Sequence, residues 1–189
     1  MIFHELAIPG AFLLEPERIE DRRGFFARTY CRRELEARDL DPLVVQCNIS
    51  VNHAKGTVRG MHWQAAPYEE IKMVRCTGGA IHDVILDLRP DSPTYRQHVG
   101  VDLSAENRMS IYIPGGVAHG FQSLEDATEV FYQMSEFYYP EAQRGVRWDD
   151  PAFTIAWPLE VTMISDRDRG FPDYQNSPDY VPSSEAEAT

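Results

Sequence analysis

The chain has 189 residues, 43% of them hydrophobic and 25% charged, the composition of a globular protein with room for one real core. A formal net charge of -12 argues against a broad nucleic-acid surface, because phosphate binding needs a basic face. No apolar run reaches the roughly 18 residues of a membrane span, and the N-terminus lacks the charged-then-apolar order of a secretory signal.

In chain order, Ala11–Leu14 reads as a short strand, Asp21 to Gly24 as a turn, and Phe25–Tyr30 as a second strand. Arg32 to Asp39 has helix-favouring Glu34, Leu35 and Glu36, and Asp41-Pro42 ends it. From Leu43 the texture changes to short β-rich runs. They fall at Val44–Val51, Thr57–Trp63, Ile71–Thr77, Ala80–Leu88, His98–Leu103, Ser110–Ile113 and Thr128–Ser135. Gly, Pro, Asn or Asp punctuates most gaps, so an all-β sandwich or barrel is expected. From Ser165 the chain is polar and proline-punctuated, which predicts a small helix or ordered loop over the barrel. We expect a single domain over residues 1–182 and a flexible acidic tail at 183–189. Cys31, Cys47 and Cys76 are an odd number without paired spacing, which favours reduced thiols and a cytoplasmic location.

Four segments carry polar residues where a core is expected. In Gly56–Gln64, strand alternation places Val58, Gly60 and His62 on one face and Arg59, Met61 and Trp63 on the other. His62 is then either a satisfied core histidine or part of a site. Lys72 lies in line with Val74 and Cys76, as a rim lysine with a snorkelling stem or as a buried cation. Pro114 to Phe121 reads as a tight turn leading to His119 between small residues. Thr128, Val130, Tyr132 and Met134 share a face, so Tyr132 is a core tyrosine or a functional one.

These residues resemble the cupins, small jelly-roll barrels. Gly56 and His62 match the start of the first cupin motif; Pro114, Gly116 and His119 match the second. Gln64 replaces the second histidine of the first motif, and Lys72 stands near the place of its glutamate. A divalent metal wants neutral or anionic donors, so a metal-free cavity without a cofactor is expected.

A narrower resemblance covers about Phe3 to Asp168. It runs through Asp21-x-Arg23-Gly24-x-Phe26, Gln46-x-Asn48-x-Ser50, Val58-Arg59-Gly60-Met61-His62-Trp63-Gln64 and Lys72-Met73-Val74-Arg75. It continues through Asp83 to Thr94, Ile113 to Phe121, Tyr132 with Tyr138-Tyr139, Asp150-Pro151, Trp157-Pro158 and Ile164-Ser165-x-Arg167-Asp168. The chain resembles the dTDP-4-dehydrorhamnose 3,5-epimerase family. The resemblance implies an all-β, cupin-type jelly-roll barrel with a few short peripheral helices, working as a homodimer on a nucleotide-diphosphate 4-keto sugar.

The implied chemistry suits the residues. The ketone at carbon 4 acidifies the hydrogens on carbons 3 and 5. Inversion then needs a base on one face, an acid on the other, and a group that holds the enolate. The family pattern assigns His62 as base, Asp168 as its carboxylate partner and Tyr132 as acid. Lys72 would stabilise the enolate oxygen. His119 and Arg59 would contact sugar or diphosphate, with Arg23 as a second diphosphate contact. Gln46 and Asn48 would hydrogen-bond the substrate. Phe26, from the neighbouring chain, and Tyr138 would sandwich the base.

The sequence departs from the family at Arg28, where a glutamate usually helps to read thymine, and at Cys47, Ile49 and Val51. Arginine is donor-only and cannot accept the imide proton of thymine, so Arg28 bears on nucleotide choice. Three other readings stay open: an epimerase of carbon 3 only, a metal-dependent cupin oxygenase, and a non-catalytic sugar-binding cupin. Lys72 and Gln64 oppose the second. The His62, Asp168 and Tyr132 set opposes the third, since binding alone needs no acid–base pair.

Overall fold

The computed structural model describes residues 1–176, so the expected tail at 183–189 lies outside the described residues. The strands are β1 (Ile2–Glu5), β2 (Phe12–Glu15), β3 (Arg18–Asp21), β4 (Gly24–Ala27), β5 (Gln46–Asn52), β6 (Val58–Gln64) and β7 (Lys72–Gly78). They continue with β8 (Ala80–Asp87), β9 (His98–Ser104), β10 (Ser110–Ile113), β11 (Val117–Ser123), β12 (Thr128–Met134) and β13 (Gln143–Gly145). The helices are α1 (Arg32–Glu36), α2 (Asp166–Arg169) and a 3-10 turn at Tyr174–Asn176.

Two antiparallel sheets face each other as the walls of the barrel. One has six strands in the order β1-β2-β10-β7-β12-β5, the other five in the order β13-β6-β11-β8-β9. Between them lie Val74, Cys76, Ile81, Ile85, Ile111, Ile113, Phe121 and Val130, all buried. These residues alternate along their strands, as a two-residue period requires. On β8 the intervening Val84 and Leu86 face outward, where Met61, Trp63, Phe153 and Tyr174 cover them. Because both its faces are covered there, β8 carries the unbroken apolar run Val84-Ile85-Leu86. The outer face of the six-stranded sheet buries Met73 and Tyr112 under Leu35 of α1.

Three expectations are corrected. The strand read over Phe25–Tyr30 is the shorter β4, and across the expected turn it pairs with β3, which was not expected, in a hairpin that stands apart from both sheets. Glu36 ends α1 early, and Asp39, at φ 57, turns the chain away. The stretch read as a turn around His119 is the buried strand β11, which pairs with both β6 and β8. Its small residues, Ala118 and Gly120, hid it from a β-propensity reading.

The largest correction concerns β6. His119 opposes His62, and Phe121 opposes Arg59. Two residues on β11 therefore span three on β6, which is a bulge. The extra residue breaks simple alternation, so Arg59 joins His62 on the inner face instead of Met61 and Trp63. Gly60 makes this possible. It sits at φ +125, and a Cβ there would lie 2.5 Å from Gly120 Cα and 2.9 Å from the His119 carbonyl oxygen. Both contacts are with backbone, which cannot swing aside. Gly60→Ala should therefore cost about 3 kcal/mol of stability, read from the denaturant midpoint at unchanged slope. A loss within about 0.5 kcal/mol would show that the bulge tolerates a side chain.

Candidate active site

A cavity of about 900 Å³ opens between the sheets. Its walls come from β5, β6, β7, β11 and β12, and its rim from Tyr138, Gln143 and the segment Met163–Asp168. That segment is tied down first. The Val58 amide donates to the Met163 carbonyl at 2.9 Å, and the Thr162 amide to the Gly56 carbonyl at 3.1 Å. Ser165 then caps α2, its hydroxyl accepting from the Asp168 amide at 3.0 Å. The cap fixes Asp168 beside β6.

His62 Nε2 and Asp168 Oδ1 are 2.6 Å apart, and the Gly60 amide donates to Asp168 Oδ2 at 3.3 Å. Burial pushes the Asp168 carboxyl up, but the hydrogen bonds from His62, Gly60 and Ser165 and the imidazole charge outweigh it and hold the group below the usual carboxylate range. An ionised Asp168 accepts a hydrogen bond from Nε2–H and leaves the lone pair on Nδ1. No partner occupies Nδ1 among the described residues. A histidine oriented in this way can act as a general base.

Tyr132 comes from β12, in the opposite sheet. Burial raises its phenol above the ordinary value, helped by the Asp83 charge and opposed by the Ser50 hydroxyl and Arg59. It is held protonated, as an acid must be. His119 packs edge-on against the Tyr132 ring at 6.2 Å, and its Nε2 lies 2.8 Å from the fully buried Asp83. Lys72 is a buried cation and not a rim lysine. Its ammonium lies 2.6 Å from Glu70, with both side chains only 8% exposed, and donates to the His62 carbonyl at 3.3 Å.

The donor set does not suit a divalent metal. The Gln64 amide is consumed by the Tyr68 and Phe137 carbonyls and the Tyr139 amide, at 3.0, 3.1 and 2.7 Å. Lys72 offers only donors. The described residues contain no group of three or more His, Cys, Asp or Glu side chains placed to hold a metal ion.

A family profile described as dTDP-4-dehydrorhamnose 3,5-epimerase matches residues 5–176. The chain belongs to that family. The Pseudomonas aeruginosa dTDP-4-dehydrorhamnose 3,5-epimerase is 43% identical over 87% of this chain and 91% of its own. The crystal structure of the Bacillus anthracis dTDP-4-dehydrorhamnose 3,5-epimerase, with TDP and PPi bound, is 40% identical. It superposes with a TM-score of 0.87 over 90% of this chain and 98% of that one. A 3'-monoepimerase from Streptomyces bikiniensis, in complex with dTDP-quinovose, is 34% identical, with a TM-score of 0.83 over 89% of this chain and 85% of that one.

In this epimerase the cavity gathers His62, Asp168, Tyr132, Lys72, His119, Arg59, Gln46, Asn48 and Tyr138. Arg59 is braced by Asn52, whose Oδ1 accepts from its Nε at 2.7 Å. Tyr138 donates its hydroxyl to Gln143 Oε1, which also accepts from Arg167 at 2.8 Å. Three expected substrate residues lie elsewhere in the same chain. Arg23 is 90% exposed and pairs with Asp21 on the β3–β4 hairpin, and Phe26 beside it is 72% exposed. Arg28 is held at 2.6 Å by Glu34, whose carboxyl is pulled down to about 2 by the N-terminal amino group and by Arg28.

Sequence reasoning missed Glu70, Ser50 and Arg167 as wall residues of the cavity, and Asp83 as the buried partner of His119. Two of them had a readable signal. Glu70 is two residues from Lys72 and so shares its side of an extended chain. Arg167 adjoins Asp168 in a matched motif. Ser50 and Asp83 also stood in matched stretches, Ser50 in step with Gln46 and Asn48, but what each touches is set only once the sheets are paired.

Proposed function

We propose that this epimerase inverts carbons 3 and 5 of a dTDP-linked 4-keto-6-deoxyhexose, the conversion used in dTDP-L-rhamnose synthesis, in the cytoplasm. The observation that carries the reading is that an oriented base and a protonated acid line one cavity from opposite sheets, His62 on β6 and Tyr132 on β12. His62 Nδ1 takes the proton next to the ketone. The electron pair moves into the enolate, whose oxygen the Lys72 ammonium holds. Tyr132 returns a proton to the other face of the same carbon. Each inversion leaves an imidazolium and a phenolate, which exchange protons with solvent before the second. Asp168 stabilises the imidazolium meanwhile. The ketone is itself the electron sink, so the reaction needs no cofactor.

Arg59 and Arg167 are the cations nearest a diphosphate at the cavity mouth, and Tyr138 offers a stacking face to the base. Arg23 and Phe26 act from the partner chain of a homodimer. This accounts for their exposure on a free hairpin and for the bare apolar flank of β5, where Ile49 is 65% and Val51 44% exposed.

The test is proton NMR of dTDP-4-keto-6-deoxyglucose with the protein in deuterated water. Deuterium should appear at both carbons 3 and 5. Incorporation at carbon 3 alone selects the monoepimerase reading, which the 3'-monoepimerase relative keeps in view. No incorporation removes the epimerase reading for this substrate. Exchange should also survive dialysis against a strong chelator; loss restored by one divalent ion would overturn the metal-free chemistry.

A further inference from the structure

Lys72 does not reach the cavity as a free arm. Its ammonium has three donors. It forms an ion pair with Glu70 Oε1, 2.6 Å away, and donates one hydrogen bond to the His62 carbonyl, 3.3 Å away. The ammonium has no further partner among the described residues, and both Lys72 and Glu70 line the cavity. The mount is rigid as well. Between the two side chains, the Ile71 amide donates to Ser135 Oγ at 2.8 Å, and the Ser135 amide donates back to the Ile71 carbonyl at 3.0 Å. Glu70 is therefore pinned to the end of β12, the strand that carries Tyr132.

We propose that Glu70 is a positioning residue that immobilises the Lys72 ammonium, so that its remaining N–H points at the place where the enolate oxygen forms. The proposal rests on the epimerase reading given above. A flexible lysine loses much rotamer freedom when it is held in one geometry. Glu70 and the His62 carbonyl impose that loss during folding, so it is not incurred again in the transition state. A preorganised donor needs no rearrangement as the oxyanion develops. The carboxylate also draws part of the ammonium charge away from the substrate. Its net benefit is therefore directional, and it must show in kcat and not in binding. A purely structural ion pair would stabilise the fold and leave the chemistry of correctly folded protein unchanged.

The experiment is steady-state epimerisation by Glu70→Ala and Glu70→Gln, in the wild-type background and in Lys72→Met, with folding checked by circular dichroism. In the wild-type background, Glu70→Ala should lower kcat about 30-fold with KM within about twofold. Glu70→Gln keeps an acceptor without the charge and should lose about fivefold. In the Lys72→Met background neither substitution should cost further activity, because the group being positioned is gone. Equal losses in both backgrounds, an effect on KM alone, or a loss below twofold in Glu70→Gln would each overturn the proposal. Glu70→Gln is nearly isosteric and carries the test if Glu70→Ala does not fold. Inactive wild-type protein would count against the epimerase reading itself, whereas active wild type with indifferent Glu70 variants counts against the positioning role alone.

Discussion

His62→Ala is expected to lower epimerisation by about 1,000-fold or more and to abolish deuterium exchange at carbons 3 and 5 alike. Among the described residues that line the cavity, His62 combines a free ring nitrogen with an anionic partner that fixes its tautomer. His119 is paired with Asp83 in the same way, but it is the more enclosed of the two, 6% exposed against 28% for His62, so His62 is the ring more open to substrate. The substitution also leaves the Asp168 carboxylate, 4% exposed, with only the Gly60 amide and Ser165 for compensation. Some stability is therefore lost too, and His62→Asn, which still offers a donor, is the control for folding. Exchange within tenfold of wild type in a folded His62→Asn protein would remove His62 from the role of base.

Tyr132→Phe separates the two half-reactions. It keeps the ring that packs against His119 and removes only the hydroxyl. His62 can still withdraw a proton and return solvent deuterium to the same face. The variant should therefore wash deuterium into the substrate while losing about 100- to 10,000-fold in formation of inverted product. The neutral hydroxyl loses water when it is buried, which offsets much of what its contacts contribute, so its removal should change stability little. Parallel loss of exchange and inversion would mean that Tyr132 serves the first proton transfer, and the two-wall mechanism would fall.

The sequence by itself determined a good deal. Alternating apolar runs located most of the strands, because burying one or both faces of a sheet leaves a two-residue period that needs no partner to be visible. Matched motifs named His62, Tyr132, Lys72 and Asp168. Tertiary structure decided how those residues meet. Asp168 is 106 positions from His62, and the backbone ties between Met163 and Val58 bring the two together. Alternation assigned Arg59 to the wrong face, because a bulge arises from two glycine backbones approaching across strands and leaves no mark in the period of one strand. The same limit hid Glu70, whose importance depends on what Lys72 touches, and the isolation of the β3–β4 hairpin, whose residues match the family pattern yet stand away from the cavity of their own chain. Periodicity is a property of one strand against its surroundings. Which walls His62 and Tyr132 occupy is a property of two sheets, and only their packing brings both to one cavity.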